Sequence, residues 1–537
     1  MGRPKGAPHL RHRWPTGPGH TTFRTAGSRG GGGREPWHPK PGDRIIRVHH
    51  VRQYHMRRVL GVPALYSAGY GNVGSSIYYA LGVVALVAMG ATPVALGIAG
   101  VLFLFTVITY AEGSAMFPEA GGSASFARHA FNDMVGFISG WALMLSYIVT
   151  IAISAFIIPP YMGHFYEPLK TDPVIGTSIS MGIVLFLMVL NVIGVRETSV
   201  VNILAATVDI LTQLFLIVLG FIFLFDPNLL VSRIVAYWPG TSSLIFGVAL
   251  AALAYTGVET VSQMAEETRR PQTRVPRALM LMVVTVLVMF VGVTMVAFST
   301  MTPGELATNW AKDPIAGIAH FLPLELASST PEGPVASVMF TWFVEVLQRV
   351  LPPVVALLAA TILLIATNAG LIGVSRLAFS LGKHHQLPGA FSLVHPRFKT
   401  PYVAVISFSL MALLILVPGL FQPQFLTALG ALYTFGSLLS FSIAHLSILA
   451  LRVRQPQLPR PFHRGPDFKI KGRKIPVTAL LGLLATAAIW AVIVATQPYS
   501  RWVGFIWMGA GLVFYVLYRK SERLSLFSAP EKPRGPL

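Results

Sequence analysis

No cysteine occurs in the 537 residues, which excludes disulfides, thiolate metal sites and cysteine nucleophiles. Charge is scarce: 12% of residues are Asp, Glu, Lys or Arg, against about 25% in a typical soluble domain. Acidic residues are the scarcer kind, 21 against 41 Lys and Arg. Neither a Walker loop nor an HExxH sequence is present, so ATP-driven transport within this chain and zinc-protease chemistry have no motif to rest on. The first 58 residues lack an apolar core segment, so no cleavable signal peptide is visible.

What is abundant is apolar: 53% of residues are hydrophobic and the mean hydropathy is +0.63. A membrane-crossing helix needs roughly 20 apolar residues. Twelve such runs are expected, near 63–89, 93–117, 127–160, 174–194, 199–225, 243–265, 276–300, 353–381, 402–420, 424–452, 476–496 and 500–519. The sequence therefore reads as an all-α integral membrane protein with the lipid bilayer as its solvent. Its formal net charge of +20 raises nucleic acid as a partner, and the placement of the charge argues against one. Arg128, Arg196, Arg269, Arg270, Arg274, Arg277, Lys383, Arg397, Lys399 and a dense set from Arg452 to Lys474 fall in alternate loops. The opposite loops hold only Lys170, Arg233, Lys312, Arg349 and Arg501. The positive-inside rule puts the first set and both termini in the cytoplasm, with the plasma membrane as the expected location.

The expected organisation follows. Residues 1–58, rich in Arg, His, Gly and Pro, form a basic disordered cytoplasmic tail, unless translation starts at Met56. Residues 59–452 hold ten helices, 453–475 a basic cytoplasmic loop, 476–520 two further helices and 521–537 a second tail. One outer loop, about 302–352, is long. Within it residues 335–351 (VASVMFTWFVEVLQRVL) read as an amphipathic helix, either plain cover or a lid over an entrance.

Two spans carry poor helix formers where lipid makes backbone hydrogen bonds most necessary. The first reads SAGYGNVGSSIYYALGV (67–83), the sixth ALAALAYTGVET (249–260). Irregular backbone at membrane depth is tolerated only where it is buried in protein or lines a cavity. Breaks at matching places in two halves point to an inverted-repeat transporter. Freed N–H groups suit a carboxylate, freed carbonyls an ammonium, and glycine leaves room for close approach. The competing reading is that these small residues only let helices pack.

Three stretches carry a family resemblance: YAEGSAMFPEAGGSASFARHAF (110–131), GVETVSQMAEETRRPQTRVPRAL (257–279) and GVSRLAFSLGKHHQLPGAFSLVHPRFKTPYVAV (373–405). They resemble, in order, segments of the amino acid–polyamine–organocation (APC) superfamily permeases. The resemblance implies a five-plus-five inverted-repeat core of LeuT type with two peripheral helices. It also implies secondary transport of amino acids or related amines by alternating access, with no cofactor, metal or enzymatic step. Substrate contacts implied on the first span are Gly71, Asn72, Val73, Gly74, Ser75 and Ser76. On the sixth they are Ala254, Tyr255, Thr256 and Gly257, with Tyr255 as a cover over the substrate or a core aromatic. An amino-acid sensor and an amino acid/polyamine exchanger are the alternative readings on the same fold. After the eighth span the family often has an ARDG-like stretch where this chain has GKHHQ (382–386), and His384 and His385 there are loop histidines or pH sensors.

Ionisable residues inside spans are functional candidates by default. Asp209 binds Na⁺, carries H⁺, or serves helix packing or a partner such as Asn202 or Gln213. Glu259 is a proton-binding carboxylate or a structural group. Thr367 and Asn368 add oxygens near the expected ion region, or simply bond their own helix. Glu119, Glu266, Glu267 and Arg269 are the candidate inner gate. Glu112 and His445 read as structural.

Overall fold

In a computed structural model the described residues are 58–194, 198–223, 225–328, 334–422, 425–470 and 473–528. The basic tail, but for Arg58, and the last nine residues lie outside them. Eleven helical stretches among the described residues are long and apolar enough to cross a membrane. The first, Val62–Met116, runs 55 residues, far beyond the roughly 20 one crossing needs. It contains α1 (Val62–Gly74), α2 (Ile77–Ala88) and α3 (Thr92–Met116), with a 3₁₀ turn at Met89–Ala91 before α3. Met89 has a φ of 44°, a backbone position through which no α-helix continues. The sequence reading has two segments where this one stretch stands.

Next come α4 (Ser123–Ala130), α5 (Asp133–Met162), α6 (Pro168–Thr171), α7 (Pro173–Ile193), α8 (Thr198–Phe223) and α9 (Pro227–Ala236). The stretch Thr241–Gln263 holds α10 (Thr241–Ala251) and the short α11 (Glu259–Gln263). After it lie α12 (Pro271–Thr300), α13 (Pro303–Thr308), α14 (Pro314–Ser328), α15 (Pro334–Lys383), α16 (Tyr402–Leu416), α17 (Phe425–Arg454), α18 (Val477–Thr496) and α19 (Pro498–Ser521). Starts are marked chemically. Asn132 and Asp172 accept backbone N–H groups at the heads of α5 and α7, and Thr302 with Glu305 makes a capping box at α13.

Two elements depart from the sequence reading. The loop 453–475 contains an antiparallel hairpin, β1 (Asp467–Ile470) with β2 (Arg473–Pro476), pairing Phe468 with Ile475. Residues 335–351 do not form a separate surface helix. They are the start of α15, a single 50-residue helix carrying Pro352 and Pro353 inside it.

The centre of the structure is α5, whose apolar window is entirely buried. A helix apolar all round belongs inside, and α5 packs on α15, α17, α7 and α16. The windows of α7 and α19 are only 22% and 28% buried, as fits helices that face lipid. Helix contacts rest on small residues and on hydroxyl pairs such as Ser146–Ser437 at 2.7 Å. At Gly436 a Cβ would stand 2.7 Å from the Ala142 carbonyl oxygen, so α17 lies directly on the α5 backbone. The outlying α19 is fastened by a reciprocal pair: Trp141 Nε1 donates to the Trp507 carbonyl at 2.8 Å and Trp507 Nε1 to the Trp141 carbonyl at 2.9 Å. The two indoles stack at 4.5 Å. Glu112 of α3 meets Arg452 of α17 at 2.8 Å, and His463 joins that arginine to Asp467 of the hairpin.

At Gly511 a Cβ would stand 2.1 Å from the Trp141 indole nitrogen, whereas one at Gly509 meets nothing within 4 Å. Gly511→Val should therefore cost about 1–3 kcal/mol. In a thermal melt of the purified protein its midpoint should fall clearly below that of Gly509→Val.

Candidate functional site

The two interruptions are unequal. Between α1 and α2 the chain stays right-handed: Ser75 has φ −59°, ψ −27° and Ser76 has φ −65°, ψ −22°. Ser76 N–H donates to the Val73 carbonyl and Tyr78 N–H to that of Ser75, a tightened turn rather than an unwound one. The sixth interruption is a true break. A 3₁₀ turn at Ala252–Tyr255 leads into Thr256, extended at ψ 152°, and Gly257, at φ +121°. Only glycine adopts that conformation without strain.

The breaks meet each other. A Cβ on Gly257 would lie 2.9 Å from both Asn72 Nδ2 and Val73 Cγ2. Asn72 Nδ2 donates to Thr260 Oγ1 at 2.8 Å, and the Gly257 N–H donates to Glu259 Oε2 at 3.0 Å. All these groups are buried. Among the described residues, Asn72 Oδ1 and Glu259 Oε1 have no hydrogen-bond partner. The glycines make room for protein groups: Gly74 for the Tyr70 ring, at 2.7 Å from a built Cβ, and Gly71 for Ile365. Tyr255 does not cover this region. Its hydroxyl donates to the Leu96 carbonyl at 3.0 Å and its ring lies against Phe103 and Phe290, the core arrangement of the two expected. Ala254 and Thr256 are buried, and the Thr256 hydroxyl donates back to Leu253.

Asp209, on α8, is 1% exposed and fully engaged. Tyr70 donates to Oδ2 at 2.9 Å, Gln213 to Oδ2 at 2.8 Å, and Tyr78 to Oδ1. The sequence reading named Gln213 and missed both tyrosines. Hydroxyls bracketing a broken span at 70 and 78 were the available signal. Thr367 bonds its own helix at Leu363, and Asn368 accepts from Asn191 of α7 at 2.6 Å. Neither is drawn to Asp209 by any hydrogen bond among the described residues.

The candidate gate residues gather where α1 begins. Glu267 pairs with Arg376 at 3.0 Å, and Glu266 approaches Lys383 at 3.9 Å and the Ala120 N–H at 3.4 Å. Gly121 N–H donates to Gln263 Oε1 at 2.8 Å and Ser380 Oγ to the Ala120 carbonyl at 2.6 Å. Glu119 stands in a separate set with Arg128, His129 and Ser125. Burial raises its carboxyl, but the bond from His129 and the Arg128 charge outweigh burial and hold it well below the usual range. Among the described residues Arg269 is in no carboxylate pair. Its backbone N–H donates to the Leu60 carbonyl and its Nε to that of Arg58, fastening the chain ahead of α1. At the far end, Ala311 O lies 2.1 Å from a Cβ built on Gly82 of α2. Within the long loop, α13 and α14 pack on α2, with Ala311 the close approach to Gly82. Lys170 secures them through Asp313 at 2.7 Å. His445 is satisfied by Thr106 and Thr109.

The amino acid permease family model matches residues 60–517. The chain belongs to that family. A branched-chain amino acid permease of Bacillus subtilis is 25% identical over 499 residues, covering 88% of this permease and 95% of the relative. A methylthioribose transporter of the same organism is 23% identical, covering 87% and 95%. A low-affinity putrescine importer of Escherichia coli is 23% identical, covering 83% and 90%. These relatives are transporters rather than enzymes, and with its many apolar helices the permease is a multi-pass membrane protein.

Burial, aided by the Arg128 charge, holds the His384 imidazole below its ordinary value of 6.5. A group depressed on folding contributes stability above its unfolded value and loses it as pH falls through the native one. The melting midpoint of the permease should therefore decline as pH drops below about 6.5. His384→Gln should make that decline shallower, read by melts between pH 8 and 5.

Proposed function

We propose that the permease carries a small amino acid or related amine across the cell membrane by alternating access, driven by H⁺ or Na⁺. Asn72 Oδ1 and Glu259 Oε1 carry this reading. Two buried acceptors with no partner among the described residues flank the Gly257 break, and a ligand ammonium would satisfy the hydrogen-bonding need of such groups. Backbone of Gly71–Ser76 and Ala254–Gly257 would take the rest of the ligand, with the Thr256–Gly257 turn offering main-chain groups freed from the helix.

In this reading the chain makes twelve crossings, the first stretch counting as two, with a ten-helix inverted-repeat core and both termini cytoplasmic. The organisation 59–452, 453–475 and 476–520 follows. Glu266 and Glu267 with Arg376 and Lys383 close the cytoplasmic side. Residues 303–313, held by Lys170, close the outer one. Asp209 and Glu259 are the carboxylates that couple an ion to the cycle. The three donors on Asp209 favour its ionised form, so taking up a proton there would require a tyrosine hydroxyl to turn from donor to acceptor.

The named relatives differ in cargo, so uptake is to be tested across chemistries: radiolabelled leucine, arginine and putrescine into proteoliposomes, with imposed pH or Na⁺ gradients. At least one ammonium-bearing substrate should accumulate, and Asp209→Asn should flatten the gradient dependence. Saturable binding of these compounds with no flux, or flux of none, would sink the transport reading. Removing the carboxylate charge with Glu259→Gln should raise KM or Kd for the accepted substrate about tenfold or more.

A further inference from the structure

Asp209 does more than satisfy its own burial. Tyr70 is the fifth residue from the end of α1, and Tyr78 is the second of α2. Both donate to the same carboxylate, one to each oxygen. A single side chain of α8 therefore holds the two halves of the interrupted first stretch together across the Ser75–Ser76 turn.

The connection continues outward. The Tyr78 carbonyl accepts the Tyr161 hydroxyl of α5 at 2.6 Å, and the two rings meet edge to face at 5.5 Å. The Tyr161 oxygen in turn accepts the Ile315 N–H at 3.4 Å, in the first turn of α14. Two residues earlier stands Asp313, held by Lys170, and just before it Ala311, whose carbonyl rests on Gly82. Asp209, Tyr78, Tyr161 and the segment 303–315 thus form one contiguous chain of contacts from the fifth expected span to the outer loop.

We propose that Tyr78 and Tyr161 are positioning residues that tie this outer segment to Asp209, so that the segment lifts when the Asp209–Tyr78 bond is given up. The inference rests on the reading of 303–313 as the outer closure. It supplies what spatial adjacency alone does not: a stated pair of bonds whose loss has the same consequence at the far end.

The absence of native cysteine makes the test clean. Ala307, on α13, is 6% exposed, so Ala307→Cys places one thiol beneath the segment. Its modification by a membrane-impermeant maleimide is followed in the full chain reconstituted in lipid nanodiscs, without substrate. Tyr161→Phe keeps the ring and removes the hydroxyl. Asp209→Asn removes the charge that takes the tyrosine bonds. Each should raise the labelling rate about tenfold, the scale of one lost buried hydrogen bond. The double variant should stay near the single ones, because both cut the same chain. Tyr78→Phe, which keeps the Tyr161 bond to the backbone, should match them and stands in if Tyr161→Phe does not fold. Tyr515→Phe, whose hydroxyl bonds Leu526 at the other end, should label like the parent. An unchanged rate in Tyr78→Phe or Tyr161→Phe, or a double variant that multiplies the two effects toward a hundredfold, would overturn the proposal. Labelling is independent of flux: a permease that moves none of the tested substrates can still show the coupling, and a working importer can lack it.

Discussion

Inside a bilayer a backbone amide has no water to fall back on, and the Gly257 N–H is the amide for which this matters most. The extended Thr256 and the positive φ of Gly257 take the chain out of the helical ladder. The Glu259 carboxylate takes up the amide two residues ahead of it. That bond lets the stretch stop and restart at membrane depth. It also commits an acidic side chain to the interior, where it must be kept from lipid. The rest of the packing follows: α1 lies on α11, α15 on α1, and the wholly buried α5 stands behind α15.

The two interior acids are handled in opposite ways. Asp209 has both oxygens taken by donors from α1, α2 and its own helix. Such a carboxylate is stabilised as it stands, and what it does to the molecule is hold those donors together. Glu259 has one oxygen engaged by the Gly257 N–H and one with no partner among the described residues. A half-satisfied polar group is costly when sealed. The first acid is a fastening and the second is only half engaged, although the sequence presents both simply as carboxylates in apolar runs.

The spans were legible because length and hydropathy alone set them. The run read at 402–420 is an apolar stretch of Tyr402–Leu420, and the Gly257 break falls where the residue types demand it. Facing was not legible. In lipid a helix needs no polar stripe, so nothing in the sequence says that Tyr255 turns toward α3, or that the Tyr70 ring lies against Gly74. The long loop at 302–352 misled for a related reason. Residues 335–351 have the pattern of a surface helix, but an apolar helix that leaves the bilayer keeps winding, and it became the head of α15. The segment that packs on α2, 303–313, is short and weakly patterned, and only its contact with Gly82 identifies it. Nor does the sequence say that the Arg269 Nε donates to a backbone carbonyl, that of Arg58.

In the proposed cycle the two ends of the first stretch are closed by different materials, and the difference bears on which opens more readily. Where α1 begins, the closure combines the Glu267–Arg376 pair with buried bonds from Gly121 to Gln263 and from Ser380 to Ala120. Partly exposed ion pairs contribute roughly 0–1 kcal/mol, so the buried bonds to backbone carry most of that closure. They are short-ranged and all lost together once the 117–122 segment moves. At the other end the closure is the Ala311 backbone seated against Gly82, with Lys170 on Asp313 as its main ionic tie. That contact depends on the absence of a side chain at one position and on a lysine that also lies over Trp310 at 4.2 Å. Salt would screen the half-exposed lysine more than it would weaken buried hydrogen bonds. Raising ionic strength therefore favours opening at the 303–313 end over opening at the end where α1 begins.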